Sequence, residues 1–318
     1  MTDTAKTGTP IEVWRGAVNS WDCDVMGHMN VRVYVARAIE GLVGIAAALG
    51  MPHAFAADAQ TTLNVREQHI RFLREARLGA PLHMLAGLES FDPEGEAVVL
   101  QRLIHSHSGE TAATFRTRVA PASLLIDGHA TRWPLQARDL ANALLMETPP
   151  EAQERGVRPR PDQWAASLEA ADRMGLATGA QGAVSPADCD AFGRMRPELV
   201  MGRITDAMPY LDVPVREAAA KSHAGAPETI GGASIEFRLA YLDMPKAGAR
   251  VVLRSGLAAS GPKVQTMVHF LLDPLTGRAW ASAEMVLVMF DLEARKALAV
   301  GPEGQDALRA LVVPGLTM

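Results

Sequence analysis

The sequence predicts an α+β protein of two similar domains, each an antiparallel sheet wrapped around one long buried helix. Three observations lead to this prediction. The chain has 318 residues, 48% of them hydrophobic, which is enough for about two domains with full cores. One short motif occurs twice, far apart in the chain. A long apolar segment and four shorter strand-like segments follow its first copy.

The repeated motif indicates duplication of a whole domain. Residues 16–29 (GAVNSWDCDVMGHM) and 182–195 (GAVSPADCDAFGRM) align without a gap at an offset of 166 residues, and eight of fourteen positions are identical. Arg37 and Arg203 match at the same offset. This period is far longer than that of a solenoid repeat, so we expect two related domains.

In the first half, residues 31–49 contain only three charged side chains and are too long for a strand. A helix that is apolar on nearly every side must be surrounded by protein, so we expect a buried helix here. Strand-like segments precede and follow it, separated by turn residues, and the second half is expected to repeat the order. The predicted strands are residues 11–19, 61–74, 81–91, 97–107 and 111–119.

Between the repeats, Pro-rich breaks separate two amphipathic pieces, 135–146 and 162–175, which we expect to form linker helices. The predicted organisation is a disordered lead-in (1–10), a first domain (11–125), a helical linker (126–180) and a second domain with a C-terminal helix (181–318).

The charge pattern argues against several classes of partner. The formal net charge is −5 and no dense Lys/Arg run occurs, so we expect no nucleic acid and no anionic membrane as partner. The polar N-terminus lacks the features of a secretory signal, and the longest apolar run is shorter than the roughly 18 to 20 residues that span a bilayer. We therefore expect a cytoplasmic protein that acts on a small molecule.

The two cysteines, Cys23 and Cys189, occupy the same position in the two motif copies. We expect reduced thiols, because the chain is large and lacks an export signal. Cys23 lies between two carboxylates, which repel a thiolate, and is therefore expected to be a packed thiol and not a nucleophile. No Cys/His spacing typical of a metal site occurs, so we expect neither a metal nor a cofactor.

The motif and the order of elements resemble the hotdog-fold thioesterases of the 4-hydroxybenzoyl-CoA thioesterase type. Their pattern is a strand, D-x-D-x-x-G-H-[hydrophobic]-N, a long buried helix and four antiparallel strands, and Asp22, Asp24, Gly27, His28 and Asn30 match it directly. The resemblance covers both halves of the chain and implies a tandem hotdog. Since one unit leaves sheet edges open, we expect the two to pack as an intramolecular pseudo-dimer, with or without a further homodimer.

The resemblance implies hydrolysis of an acyl-CoA thioester to free acid and CoA. Asp24 would be the catalytic carboxylate, as base or nucleophile, and backbone N–H groups near Asn30 and Val31 would polarise the thioester carbonyl. Gly27 would let the substrate approach the backbone closely. His28 is expected to orient or contact the substrate, or to be structural, and Asn30 to cap the helix, to bind a water, or both. Taken alone, Asp24 would be a loop or capping carboxylate.

Two departures from the family pattern bear on activity. Val31 stands where the family often has a second asparagine, and the second motif copy keeps Asp190 but has Arg194 and Arg196 where the first copy has histidine and asparagine. An arginine stays protonated and would pair with Asp190, so we expect the second site to contribute far less than the first. A working second site stays the alternative.

Coenzyme A carries phosphates, so the resemblance also implies a basic patch. The alternative, which we favour, is that these arginines and lysines form solvated strand faces. The candidates are Arg71, Arg74 and Arg77 in the first half and Lys246, Arg250 and Arg254 in the second.

Other functions fit the sequence less well. A Ser-His-Asp hydrolase is disfavoured because no G-x-S-x-G occurs. A hotdog enoyl-CoA hydratase is the nearer enzyme alternative, although its usual Asp/His spacing differs from this motif. A non-catalytic acyl-CoA-binding protein is the alternative of another class, and the intact set from Asp24 to Asn30 argues against it for the first half.

Overall fold

The computed structural model describes residues 6–125, 129–223, 227–294 and 296–318. It divides into two units. Unit 1 contains the chain up to Glu154 together with Asp190–Glu198, and unit 2 contains Arg155–Cys189 and the chain from Leu199 onward. Residues 1–5 of the predicted lead-in lie outside the described residues, and within the remainder Gly8 donates a backbone hydrogen bond to Leu145 (2.7 Å).

Unit 1 contains the predicted buried helix and the five predicted strands. Its sheet is antiparallel throughout, with strand order β1-β3-β4-β5-β2. The elements are β1 (Ile11–Ala17), α1 (Val31–Ala48), β2 (Thr61–Phe72), β3 (Pro81–Phe91), β4 (Ala97–His105), β5 (Thr111–Ser123) and α2 (Ala137–Asn142).

Helix α1 packs directly on this sheet. Leu42 and Ile45 are fully buried in one cluster with Leu88 of β3 and Val99 of β4. Gly41 permits close approach, because a Cβ there would lie within 3.0 Å of side chains on β1, β3 and β4. The apolar surface predicted from the sequence is therefore buried against the sheet.

Unit 2 repeats this strand order as β6-β8-β9-β10-β7, with β11 added beside β10. The elements are α3 (Leu168–Arg173), β6 (Ala177–Ala183), α4 (Glu198–Leu211), α5 (Val213–Ala220), β7 (Ile230–Tyr241), β8 (Arg250–Ser260), β9 (Val264–Leu272), β10 (Ala279–Asp291), β11 (Lys296–Ala297) and α6 (Pro302–Leu311).

The second unit differs from the first in its central helix. Where unit 1 has one long helix, unit 2 has α4 and α5, separated at Asp212. Pro209 lies inside α4 and Pro214 in the first turn of α5. A proline has no N–H to donate and crowds the preceding turn, so two prolines in close succession account for the break.

The predicted linker helices are shorter than expected, because neighbouring residues form other backbone pairs. Helix α2 ends early since Leu88 of β3 bonds to both Leu144 and Met146 (2.8 Å each). Helix α3 begins late, after Ala165 has donated to the carbonyl of Met318 (2.8 Å), and Ser167 caps it by accepting from the Ala170 N–H (3.0 Å).

Candidate active site

The first motif copy folds into a tight loop between β1 and α1. Three backbone hydrogen bonds close it: Asp24 N–H to the His28 carbonyl (2.8 Å), Gly27 N–H to the Asp24 carbonyl (3.0 Å) and Asn30 N–H to the Asp22 carbonyl (2.8 Å). Gly27 has φ +74°, in the left-handed region that favours glycine. This backbone requirement explains the glycine independently of the predicted substrate contact.

Asp24 lies exposed on this loop with one carboxylate oxygen fixed. Its Oδ1 accepts hydrogen bonds from the backbone N–H groups of Met26 (2.9 Å) and His28 (3.2 Å). Its Oδ2 has no partner within the described part of the chain. The loop therefore orients the carboxylate and leaves one oxygen available to a water or a substrate.

Helix α1 begins directly after this loop, with Asn30 as its N-cap. The Asn30 Oδ1 accepts from the Arg32 N–H (2.9 Å), so the capping role predicted for Asn30 is present. Of the two predicted donor positions, the Asn30 N–H is already bonded to Asp22, whereas the Val31 N–H has no partner among the described residues. An oxyanion donor at this helix start is therefore limited to Val31.

His28 contacts the carboxylate of Glu75, a residue that is not part of the repeated motif. Its Nε2 lies 3.2 Å from Oε2 of Glu75, in the turn after β2, and that oxygen also pairs with Arg77 (3.0 Å). The His28 side chain is 18% exposed. The structure thus brings Glu75 to the motif loop in addition to the predicted residues.

Tyr34, in the first helical turns of α1, anchors the same turn. Its hydroxyl accepts from the Ala76 N–H (3.1 Å), while Met29 donates to the Ala76 carbonyl (2.7 Å). Burial raises the pKa of Tyr34 to about 12, opposed by the bond from Ala76 and assisted by the negative charges of Glu75 and Asp24. Asp24 therefore lies close enough to the start of α1 for its charge to act there.

Asp22 contacts both the start of the motif loop and helix α1. It is 6% exposed, accepts from the Asn19 N–H (3.0 Å) and lies 3.5 Å from the guanidinium of Arg37. In the second copy, Asp188 and Arg203 form the matching pair at 3.7 Å. The recurrence of this pair in both copies fits a role in holding the loop against its helix.

Both cysteines are half-buried thiols. Cys23 Sγ donates to the Asn19 carbonyl (3.3 Å), and Cys189 Sγ to the Ser185 carbonyl (3.5 Å). They help to close the short turn before each loop, as expected for packed thiols.

The second motif copy has the same loop but a different carboxylate environment. Asp190 Oδ1 accepts from the N–H groups of Phe192 (2.9 Å) and Arg194 (3.0 Å), as Asp24 does in the first copy. Its Oδ2 accepts from Nε (3.3 Å) and Nη2 (3.2 Å) of Arg194, whose Nη1 donates to Asn64 Oδ1 (2.8 Å). The predicted pairing of Arg194 with Asp190 is confirmed, and both oxygens of Asp190 are occupied.

Arg196, at the position of the capping asparagine, lies 3.5 Å from Glu198, the first residue of α4. Burial raises the pKa of Glu198, and the charge of Arg196 acts in the opposite direction. The second helix start is therefore occupied by an ion pair in place of a neutral cap.

The side chains of three candidate phosphate-binding arginines, Arg71, Arg74 and Arg254, bond to groups outside the motif loop. Arg71 Nη1 donates to the carbonyl of Glu151 (3.1 Å), and Arg74 pairs with Glu110 (3.3 Å) on the exposed surface. Arg254, in unit 2, pairs with Asp172 (2.6 Å). A phosphate role for Arg71 and Arg74 stays a prediction.

In the described residues, no group of three or more His, Cys, Asp or Glu side chains is arranged to hold a metal ion. Likewise, none of the described helices is both long and apolar enough to cross a membrane.

Comparison with known families gives a match within the first half of the chain. Residues 18–151 match the sequence profile of the Thioesterase-like superfamily. None of the curated proteins matches the chain.

Solved structures similar to this one span nearly the whole chain. A protein described as an oleoyl thioesterase from Lactobacillus plantarum has a TM-score of 0.65 at 12% identity, covering 89% of this chain and 97% of its own. An acyl-ACP thioesterase from Bacteroides thetaiotaomicron has a TM-score of 0.60 at 11% identity, covering 86% and 96%. A 12:0-ACP thioesterase from Umbellularia californica has a TM-score of 0.61 at 10% identity, covering 88% and 94%. At such identities the likeness concerns the fold, and it confirms the predicted class, α+β with two hotdog domains.

Proposed function

We propose that the protein is a thioester hydrolase, because residues 18–151 match the sequence profile of the Thioesterase-like superfamily, and that it cleaves an acyl-CoA with the Asp24 carboxylate as base or nucleophile.

The observation that supports this proposal best is the state of the Asp24 carboxylate. Two backbone N–H groups hold Oδ1, and Oδ2 faces no protein donor among the described residues. A reacting carboxylate needs this combination, because it must be oriented and yet free to bond to the substrate or to water. Asp190, with both oxygens bound, lacks the second condition.

Two routes are consistent with this geometry. In the first, Oδ2 takes a proton from a water whose oxygen adds to the thioester carbonyl, and the C–S bond then breaks as the proton passes to the departing CoA sulfur. In the second, Oδ2 itself adds to the carbonyl carbon, CoA leaves, and water hydrolyses the resulting anhydride. Both place negative charge on the carbonyl oxygen.

The start of α1 is the proposed site for that negative charge. The Val31 N–H is unbonded among the described residues and lies at the positive end of the helix dipole. Asn30 supports this helix start, because its Oδ1 accepts a hydrogen bond from the neighbouring Arg32 N–H (2.9 Å). His28 completes the site as an orienting group or substrate contact, and Gly27 allows the turn that presents Asp24.

The proposal also specifies CoA as the carrier of the acyl group. The structural relatives from Bacteroides and Umbellularia are described as acyl-ACP thioesterases, so acyl carrier protein is the alternative carrier to be compared with CoA. For CoA, Arg71 is the better phosphate candidate, because it contacts a backbone carbonyl and Arg74 a carboxylate.

The experiment is a thiol-release assay over matched thioesters. Acetyl, octanoyl, palmitoyl and benzoyl groups are each supplied on CoA and on acyl carrier protein, with protein-only blanks for Cys23 and Cys189. Release that is faster from CoA than from the carrier protein with the same acyl group supports the proposal. Faster release from the carrier protein would overturn the choice of CoA, and no release from any thioester would overturn the function.

A further inference from the structure

The contact between His28 and Glu75 joins the motif loop to a distant part of the chain. Glu75 Oε2 lies 3.2 Å from His28 Nε2 and 3.0 Å from the guanidinium of Arg77. At this distance a carboxylate accepts a hydrogen bond from a ring N–H and so fixes both the orientation of the imidazole and the position of its proton.

The backbone beside Glu75 is held from two sides. Ala76 is fully buried, its N–H donates to the Tyr34 hydroxyl (3.1 Å), and its carbonyl accepts from the Met29 N–H (2.7 Å). Tyr34 is itself fixed by an edge-on contact with Phe72, whose ring centre is 5.2 Å away. Glu75 is therefore presented to His28 by a rigid turn, even though its own side chain is half exposed.

The second repeat provides an internal comparison, because the two turns can be aligned through their backbone hydrogen bonds. In unit 1, Val18 donates to the Ala80 carbonyl (3.1 Å), and in unit 2, Val184 donates to the Ala249 carbonyl (2.9 Å). The glycine before each acceptor has a positive φ, +83° at Gly79 and +85° in the second turn. In this register, positions 75 and 76 correspond to 244 and 245.

The second repeat has different residues at all four positions of this arrangement, which in unit 1 are His28, Tyr34, Glu75 and Ala76. Histidine has become Arg194, tyrosine Val200, glutamate Met244 and alanine Pro245. A proline has no N–H to donate to a hydroxyl, and a valine has no hydroxyl to accept it, so both halves of the anchor are missing. Unit 2 nevertheless has the same strand order as unit 1, so the fold itself does not require these four residues.

These four residues occur in the repeat whose motif carboxylate, Asp24, is available. They are absent from the repeat in which Arg194 occupies the carboxylate of Asp190. This association with the site, and not with the fold, indicates a role in the reaction.

We propose that Glu75 is a positioning residue of the active site, acting through His28, and that Tyr34 and Ala76 hold it in place. The Glu75 carboxylate accepts the His28 Nε2–H, so that the ring keeps one orientation and one tautomer beside the Asp24 carboxylate during turnover. This inference rests on the proposed function of Asp24.

The test uses the residue that the second repeat itself supplies, Glu75→Met, which keeps the length of the side chain and removes the acceptor. Glu110→Met is the matched control, because Glu110 is equally exposed and also pairs with an arginine. On the acyl-CoA hydrolysed fastest in the panel above, we expect kcat of Glu75→Met to fall about tenfold or more with KM within about twofold, because orientation acts on the reacting state. Glu110→Met should match the wild type, and Glu75→Gln, which retains an acceptor, should recover part of the loss.

A double-mutant cycle decides whether Glu75 acts through His28. In a His28→Ala background, Glu75→Met should cause little further loss. Full additivity of the two losses would overturn the inference, and so would a wild-type kcat for Glu75→Met.

A third readout does not depend on activity. Nitrogen-15 correlation spectra of the imidazole should show one His28 tautomer in the wild type and a mixture in Glu75→Met, but no change in Glu110→Met. If Asp24→Asn kept full activity, the proposed function would fail while these spectra still tested the contact. If Asp24→Asn were inactive but Glu75→Met showed a wild-type kcat and spectrum, only the present inference would fail.

Discussion

The guanidinium of Arg194 lies 3.2 Å from the carboxylate of Asp190, and no such cation stands at the corresponding position beside Asp24, where the chain has His28. Two loops with the same backbone hydrogen bonds thus present one available carboxylate and one occupied carboxylate. We therefore expect turnover to depend on the first loop and much less on the second.

Asp190→Asn should retain most of the wild-type kcat on the best thioester. Asparagine keeps the Oδ1 acceptor for the loop, and the pair with Arg194 is partly exposed, so little stability is lost. Steady-state kinetics of this variant, of Asp24→Asn and of the double variant give the comparison. A loss of about half for each single variant would mean two independent working sites.

Gly27→Ala and Gly193→Ala form a matched pair. Both glycines have positive φ (+74° and +73°) and open space where a Cβ would stand, so each substitution strains only the backbone, by about 1 kcal/mol. Urea denaturation should show similar losses for the two variants. Only Gly27→Ala should lower kcat, since only that loop orients a reacting carboxylate, and equal kcat losses would argue against the asymmetry.

Asn30→Ala should lower both stability and activity, the latter less than Asp24→Asn does. The variant removes the cap of α1, which costs about 1 kcal/mol, and loosens the helix start that holds the Val31 N–H. Ser167→Ala is the control, because it removes the cap of α3 far from the motif in sequence. It should cost similar stability and leave kcat unchanged; a matching kcat loss would show that activity merely follows stability.

His269 should make stability depend on pH. Burial lowers its pKa from 6.5 to about 3, and its Nδ1 bonds to the Ser255 hydroxyl (2.9 Å). Between these two values the unfolded chain binds one more proton than the folded chain, so stability is full above about pH 6.5 and falls as the pH decreases. From pH 7.5 to pH 5 this contribution is about 2 kcal/mol.

His269→Gln should remove that contribution. Glutamine does not titrate, and Gln101 stands on β4, the strand of unit 1 that corresponds to β9. The difference in the free energy of unfolding between pH 7.5 and pH 5, measured with urea, should be smaller in the variant. An unchanged difference would contradict the assignment.

Much of the fold could be predicted from the sequence because it depends on local patterns. The apolar run from Val31 predicted α1 to within a residue, and turn residues separated the strands. The linker helices were predicted too long because backbone pairs with distant residues, such as Ala165 with Met318, replace helical bonds there. Such pairs leave no periodic signal in the sequence.

The candidate site could likewise be predicted only in part from the sequence. The motif residues Asp24 and Asn30 lie together because they are close in sequence, and the pairing of Arg194 with Asp190 followed from charge alone. Glu75 comes from the turn between two strands, so only the folded chain brings it to His28. Its replacement by methionine in the second repeat is the signal by which sequence comparison could have found it.

Asp24→Asn is the variant that decides whether Asp24 performs the reaction. Asparagine retains the Oδ1 acceptor for the Met26 and His28 N–H groups, so the loop and the melting temperature should be preserved. We expect turnover of the best thioester to fall by at least about a thousandfold, while Asp190→Asn remains near the wild type. Turnover of Asp24→Asn close to that of the wild type, in a protein with unchanged melting temperature, would show that Asp24 does not perform the reaction.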